Sequence, residues 1–392
     1  MEDRIVRGWI FLGNGLLLSV ATVFGWGTSA LLLVFVIDYL GTVLRHSVDR
    51  LVASRPRGEA ERAVITASGY LHFPIAPELL EKRWSHRITG FAPAIHLRNV
   101  PYVLEWFYMA AMLSVGVAVV LLYTADQELL RVSENLLPWI ALVTGVLLMR
   151  HPLTVAAWSR TGRYEKASAP SARPKPGLLI VCIVAIAPVV FVAPFESGLV
   201  LPVAIVVLLK TVVDLRESDV GPAWLNTDRT SEIDDCPIAV PVGSPVDIVG
   251  TNRLAMFAGA IPMVAIYTVF PGVVLIAGVF LVGLVYFDPA ILFPATVLLV
   301  FVMILGFRWL VLELAHGCME YRVYDDLLLA YDTRLEEAQW MIPRENVTQT
   351  TVTHGRLLPG DSGSVTIQQA DGANTQLRYV SDPNRFVDLV GR

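Results

Sequence analysis

Nine apolar stretches, each about long enough to cross a bilayer, constrain this chain more than any other feature. They run at about 8–25, 27–47, 102–123, 135–150, 177–194, 198–216, 254–270, 272–287 and 289–314. A helix crossing the hydrocarbon layer needs about 20 mostly apolar residues, and it must satisfy every backbone polar group within itself. Composition agrees: 55% of residues are hydrophobic and 17% charged, against about 25% charged in soluble globular proteins. The sequence therefore predicts a polytopic α-helical membrane protein with eight or nine transmembrane helices. The count turns on whether 254–287 breaks at Pro271-Gly272 and crosses twice, which puts the C terminus outside, or crosses once, which puts it inside. The first stretch, Gly8 to Trp26, has no small-residue cleavage pattern and reads as a retained helix.

Joints and loops set the expected orientation. Trp26-Gly27, the acidic stretch at 124–134 and "PFES" at 194–197 are short and turn-like, so the first six spans read as three hairpins. The loops between hairpins are arginine-rich, with Arg45, Arg50, Arg55, Arg57 and Arg62 in one and Arg150, Arg160 and Arg163 in the next. Excess basic charge marks the cytoplasmic side, which places these loops there together with the N terminus and its Arg4 and Arg7. The net charge of -5 offers no general attraction to nucleic acid. Lysine occurs only at 82, 166, 175 and 210; an arginine-dominated chain of acidic balance has the composition of a high-GC, salt-adapted, archaeal-type organism. Cys182, Cys236 and Cys318 lie far apart in no zinc-binding or redox spacing.

Past residue 318 the apolar period falls toward two. "EYRVYDD" and "LLLAYDT" read as a hairpin across Asp325-Asp326, with further strands at "EAQWMI", "VTQTTVT", "SVTIQQA" and "TQLRYV". Asp371-Gly372 is a hairpin signal before the last of these. Asp382-Pro383 opens a short helix, "NRFVDLV", with Phe386, Leu389 and Val390 on one face. The expected domains are therefore 1–217, a helical membrane domain; 218–253, a polar loop whose Pro- and Gly-broken "CPIAVPVGSPVDIVG" suits an ordered loop or short strands; 254–317, further transmembrane helices; and 318–392, a small β-rich domain.

"YRVYDDLLLAYDT", the "IPRENV" turn and the "SDPNRFVDLV" ending together resemble the bacterial pleckstrin-homology-like domains over about 319–391. Asp325-Asp326-Leu327 departs from that family, where a Thr and an Arg are commoner. The membrane half, about 8–217, resembles the prokaryotic membrane family called domain of unknown function 6498. "GWGTSALLLVFVIDYLGTVLRHSVDRL" carries the likeness, with Asp38 where an acidic residue is usual, together with "VAIVVLLKTVVDLRE". Phe35-Val36 replaces that family's Tyr-Trp pair. The resemblances imply a polytopic membrane protein with a PH-like tail and no established activity.

Three residues stand out as a candidate intramembrane polar site. Asp38 sits near the middle of a span, where an ionisable group costs about 2.5–3.5 kcal/mol to insert and by default suggests function. The alternative is a structural hydrogen bond to another helix, with Asn14 and Lys210 as candidate partners. Lys210 and Asp214 lie four apart, on one helical face, which equally suits a local pair. Arg308 and Glu313 lie within or near the last span, and His46 and His151 follow spans two and four beside Arg45 and Arg150, which suits interfacial anchoring. No H-E-x-x-H, G-x-S-x-G, Walker-type loop or G-x-G-x-x-G occurs. The sequence thus predicts no enzyme, no cofactor and no metal. Its two functional readings are a non-enzymatic, membrane-anchored binding or scaffolding protein, and a small-molecule or ion transporter using Asp38 and the Lys210/Asp214 face. Expected partners are the lipid bilayer and another protein, or a second copy, through the C-terminal domain.

Overall fold

The structure, a computed structural model, describes residues 2–26, 28–55, 76–87, 93–108, 110–111, 134–169, 200–218, 238–269, 288–354 and 362–391, with single positions near 272–280. The fold divides into two units. The first comprises Met1–Tyr70, Arg87–Ile95 and Gly116–Asp235, and the second Leu71–His86, His96–Val115 and Cys236–Arg392.

Four helices build the first unit: α1 (Glu2–Val23), α2 (Thr28–Val52), α3 (Leu137–Arg160) and α4 (Val200–Glu217). α1 packs on α3 and α4, and α2 packs on α3. Near the start of α2 the interior is apolar, with Leu17, Trp26, Val34, Val143, Leu147 and Val207 in one cluster. Further along it is polar. The outward faces are apolar: Phe11 and Leu12 on α1, Leu33, Val36, Leu40 and Leu44 on α2, Leu142 and Met149 on α3, and Leu208 on α4 are all exposed. Charges inside and leucines outside invert the burial preference of a soluble domain.

The second unit joins a helix pair to a β module. α5 (Arg253–Val269) packs on α6 (Pro289–His316), whose start is capped by the Asp288 carboxylate accepting from the Ala290 N–H at 2.8 Å. One antiparallel sheet runs in order from β1 (Asp247–Gly250) through β2 (Met319–Val323) and β3 (Leu327–Asp332) to β4 (Glu337–Pro343). The other holds β5 (Val347–Thr353), β6 (Gly363–Gln369) and β7 (Asn374–Val380). Alternation buries Met319, Tyr321 and Val323 of β2 and Val365 and Ile367 of β6 in one core, which Phe386 of α7 (Pro383–Val390) completes. α7 is fixed at both ends. Asp382 accepts from the Arg385 N–H at 3.0 Å, and Arg344 donates to the Leu389 and Val390 carbonyls at 2.9 and 3.0 Å.

The expectation of eight or nine transmembrane helices is overturned. Among the described residues, three helices are long and apolar enough to cross a membrane: Asp3–Val23, Glu134–Arg160 and Ala290–His316. The reason lies in length and charge. The apolar helix at Arg253–Tyr267 is shorter, while α2 carries Asp38, Arg45, Asp49 and Arg50, and α4 carries Lys210 and Asp214. The expected spans at 177–194 and 272–287, and most of 102–123, lie outside the described residues, apart from those single positions. The stretch expected as a polar loop, 218–253, contributes β1, which pairs with β2 in the register Val249 to Tyr321.

Candidate functional site

The centre of the four-helix unit is a buried network of charges. Lys210 on α4 places its ammonium 2.7 Å from Asp38 Oδ2 on α2 and 2.7 Å from Asp214 Oδ2 one turn along its own helix. Arg150 on α3 donates to Asp38 Oδ2 at 2.7 Å and pairs with Asp214 as well. His151 Nε2 donates to Asp38 Oδ1 at 3.2 Å, and the amide of Asn14 on α1 donates to Asp214 Oδ2 at 2.9 Å. Arg150 is 2% exposed, Asp38 and Asp214 3%, and Lys210 7%. Two carboxylates face one guanidinium and one ammonium, so the centre is formally neutral with all four groups ionised. Opposite charges repay desolvation only when they meet at hydrogen-bonding distance in this way. Asn14 Oδ1 and His151 Nδ1, both buried, have no hydrogen-bond partner among the described residues.

Local sequence explains how the helices come so close. A Cβ on Gly41 would lie 2.7 Å from the His151 ring and 2.8 Å from Leu148, so only glycine lets α3 bring His151 against α2 beside Asp38. A Cβ on Gly13 would meet Leu147 at 3.0 Å, which marks the close approach of α1 to α3. Polar groups continue beyond Asp38 along α2. Thr42 bonds back to the Asp38 carbonyl at 3.2 Å, and Arg45 donates to Ser218 at 3.1 Å and contacts His46 Nε2 at 2.8 Å.

Asp38, Lys210 and Asp214, the three residues singled out in the sequence, thus stand in one contact network. Arg150 and His151 join them, although the sequence places Arg150 at the last position of a span and His151 just past it. That expected span ends at 150, whereas α3 continues through Pro152 to Arg160. The signal that finds His151 is the face Thr144, Leu147, His151 and Thr154, whose three- and four-residue spacing carries on past the proline.

The second unit holds two further buried pairs. Arg308 on α6 donates to both carboxylate oxygens of Glu78, one at 2.7 Å. Burial acts to raise the Glu78 carboxyl, but the hydrogen bond and charge of Arg308 outweigh it and hold the group below the ordinary glutamate range. Lys82 donates to Asp332 at 2.5 Å; burial pushes its ammonium down, partly offset by that carboxylate. Glu313, five residues beyond Arg308, pairs instead with Arg253 at 3.2 Å and Arg334 at 2.8 Å. No group of three His, Cys, Asp or Glu side chains arranged to hold a metal occurs among the described residues. Comparison of the chain with protein-family models, curated proteins and solved structures finds no match in any of the three.

Proposed function

We propose that this is an integral protein of the cell membrane, multi-pass, with a cytoplasmic N terminus, and that its four-helix unit handles a small ion or small polar solute at the Asp38–Arg150–Lys210–Asp214 centre. The observation that carries this reading is the convergence of ionisable side chains from α2, α3 and α4, with Asn14 of α1, behind apolar outward faces. Arg150 lies in the helix Glu134–Arg160, long and apolar enough to cross a membrane, where a charge is costly and, where it persists, marks an ion or substrate path. The reading is of a non-enzymatic protein.

The experiment is flux into proteoliposomes loaded with a pH-sensitive dye, under imposed gradients of Na⁺, K⁺ and Cl⁻. The variant is the charge-balanced double substitution Asp38→Asn with Lys210→Met, which leaves Arg150 facing Asp214. Wild-type flux above protein-free liposomes, lost in the double variant, is the expected result. Wild-type vesicles no more permeable than empty ones would remove the transport reading.

A second reading, a membrane-anchored binding or scaffolding module, draws on the second unit. Only Gly317 and Cys318 separate α6 from β2, and β7 is tied back to the start of α5 by the Asn252 N–H donating to the Tyr379 carbonyl at 2.7 Å. Two antiparallel sheets closed by a C-terminal helix support relating this module to the PH-like domains, and the charged α2 supports relating the first unit to the family called domain of unknown function 6498. Photocrosslinking from Thr351 on β5 in intact cells tests it: a discrete protein adduct is expected, and crosslinks to lipid alone would count against it.

A further inference from the structure

We infer that the outer edge of β5 is a self-association surface, on which β5 of a second copy of this chain pairs antiparallel about Thr351. This rests on the reading of the second unit as a membrane-anchored binding module, and it names that module's partner.

The edges of the β module are treated unequally. β1 and β7 close on one another at their ends: Thr251 bridges to Val380, the Ser381 N–H donates to the Gly250 carbonyl at 3.0 Å, and the Asn252 N–H donates to the Tyr379 carbonyl at 2.7 Å. β4 is interrupted by a bulge. Trp340 faces Ala330 and Ala338 faces Tyr331, while Gln339 between them faces no residue of β3. The Gln339 side chain instead holds the Arg83 backbone, accepting from its N–H at 2.8 Å and donating to its carbonyl at 3.0 Å. Bulges and covering segments are the devices by which proteins blunt an open edge. Among the described residues β5 pairs with β6 alone. Its own bulge sits at Thr348, and from Gln349 to Thr353 its register with β6 is regular.

Composition says what fits that edge. Val347–Thr353 reads VTQTTVT, with no charged residue and no proline. A regular strand edge offers alternating N–H and C=O groups, so its natural occupant is another extended strand. Neither a charged peptide nor an anionic headgroup finds a counter-charge on this strand, whereas a second copy meets no like charge along it. A two-fold interface must also be complementary to itself. Antiparallel pairing about Thr351 sets Thr351 opposite Thr351, Gln349 opposite Thr353 and Thr350 opposite Val352. The exposed Gln349, Thr351 and Thr353 then share one face, and the half-buried Thr350 and Val352 the other. Threonine pairs across strands are among the favourable ones. The membrane supplies proximity. Only Gly317 and Cys318 separate β2 from α6, a helix long and apolar enough to cross a bilayer, so two copies in one membrane carry their modules at the same depth. Such confinement raises the effective concentration of one strand beside the other.

The test uses the full chain in the membrane of expressing cells, with Cys182, Cys236 and Cys318 replaced by serine and one cysteine introduced by Gln349→Cys, Thr351→Cys or Thr353→Cys. Residues directly opposed across antiparallel strands have Cα atoms about 4.5–5.5 Å apart, within disulfide reach. Positions 349 and 353 would each lie about 14 Å from the same position of the partner. Oxidation with copper phenanthroline should therefore give a disulfide-linked dimer from Thr351→Cys about fivefold or more above the other two. Added to Thr351→Cys, the pair Gln349→Lys and Thr353→Lys sets lysine opposite lysine twice and should lower the dimer about tenfold. The pair Gln349→Glu and Thr353→Lys sets glutamate opposite lysine and should restore it. No dimer from Thr351→Cys, or equal dimer from all three positions, overturns the proposal. A photocrosslinked adduct from Thr351 to a different protein, with no disulfide between copies, also overturns it while leaving the binding-module reading in place.

Discussion

Replacing Asp38 by asparagine keeps the shape of the side chain but leaves Arg150 and Lys210 sharing one carboxylate. Removing one partner of a buried charge pair costs about 3–5 kcal/mol, because the other is left uncompensated. We expect a loss of that order in the thermal unfolding of the solubilised chain, with at least half recovered when Lys210→Met is added. Strictly additive losses would mean that the two residues are not energetically linked. Gly41→Ala should cost about 1–3 kcal/mol, since its methyl would sit 2.7 Å from the His151 ring and α2 must move to admit it; a variant melting with the wild type would show that the helices pass further apart. Glu78 gives a pH signature. Its folded-state carboxyl titrates below its unfolded one, so the stabilisation is present above the ordinary glutamate range and fades as pH falls through the lower folded value. Glu78→Gln should remove that acid-sensitive part of an unfolding-versus-pH curve, and an unaltered curve would take Glu78 out of the balance.

At the scale of elements, the joint between α5 and β7 is tight. Tyr379 takes a left-handed backbone, with φ of 58°, which a bulky residue adopts only when its surroundings demand it. Its ring meets His316 of α6 at 5.6 Å between centroids and lies against Gly259 of α5, where a Cβ would fall 2.8 Å from the ring edge. Gly259→Val should therefore prise α5 from β7 and raise protease cleavage around Thr251–Arg253, while the near-UV signal of the Tyr321 and Trp340 core persists. Cleavage as slow as in the wild type would mean the joint absorbs the side chain. Much of this module is legible in sequence, because strands declare themselves by alternation and hairpins by turn residues. All six strands expected after residue 318 form, and so does the closing helix. β1 is legible only in part: its stretch reads as an ordered loop or short strands, and four residues after a Pro- and Gly-broken loop have too little periodicity to announce their pairing with Met319–Val323.

At the scale of the whole molecule, the three helices of spanning length among the described residues and the exposed leucines on the four-helix unit predict behaviour that charge alone would not. The full chain should stay in the membrane pellet through alkaline carbonate and leave it only with detergent; release by carbonate would mean that it lies on the surface. Residue order by itself determined where the apolar segments fall, that the tail is a β module closed by a helix, and that Asp38 is an ionisable group out of place in an apolar run. Those are local properties, set by the composition and period of a dozen neighbouring residues. That α3 runs on through Pro152 to Arg160, and that Asp38, Lys210 and Asp214 meet Arg150, His151 and Asn14, were decided only by tertiary structure. Asn14 and Asp214 are 200 residues apart, and only close packing through Gly13 and Gly41 brings the helices that carry these groups within hydrogen-bonding reach.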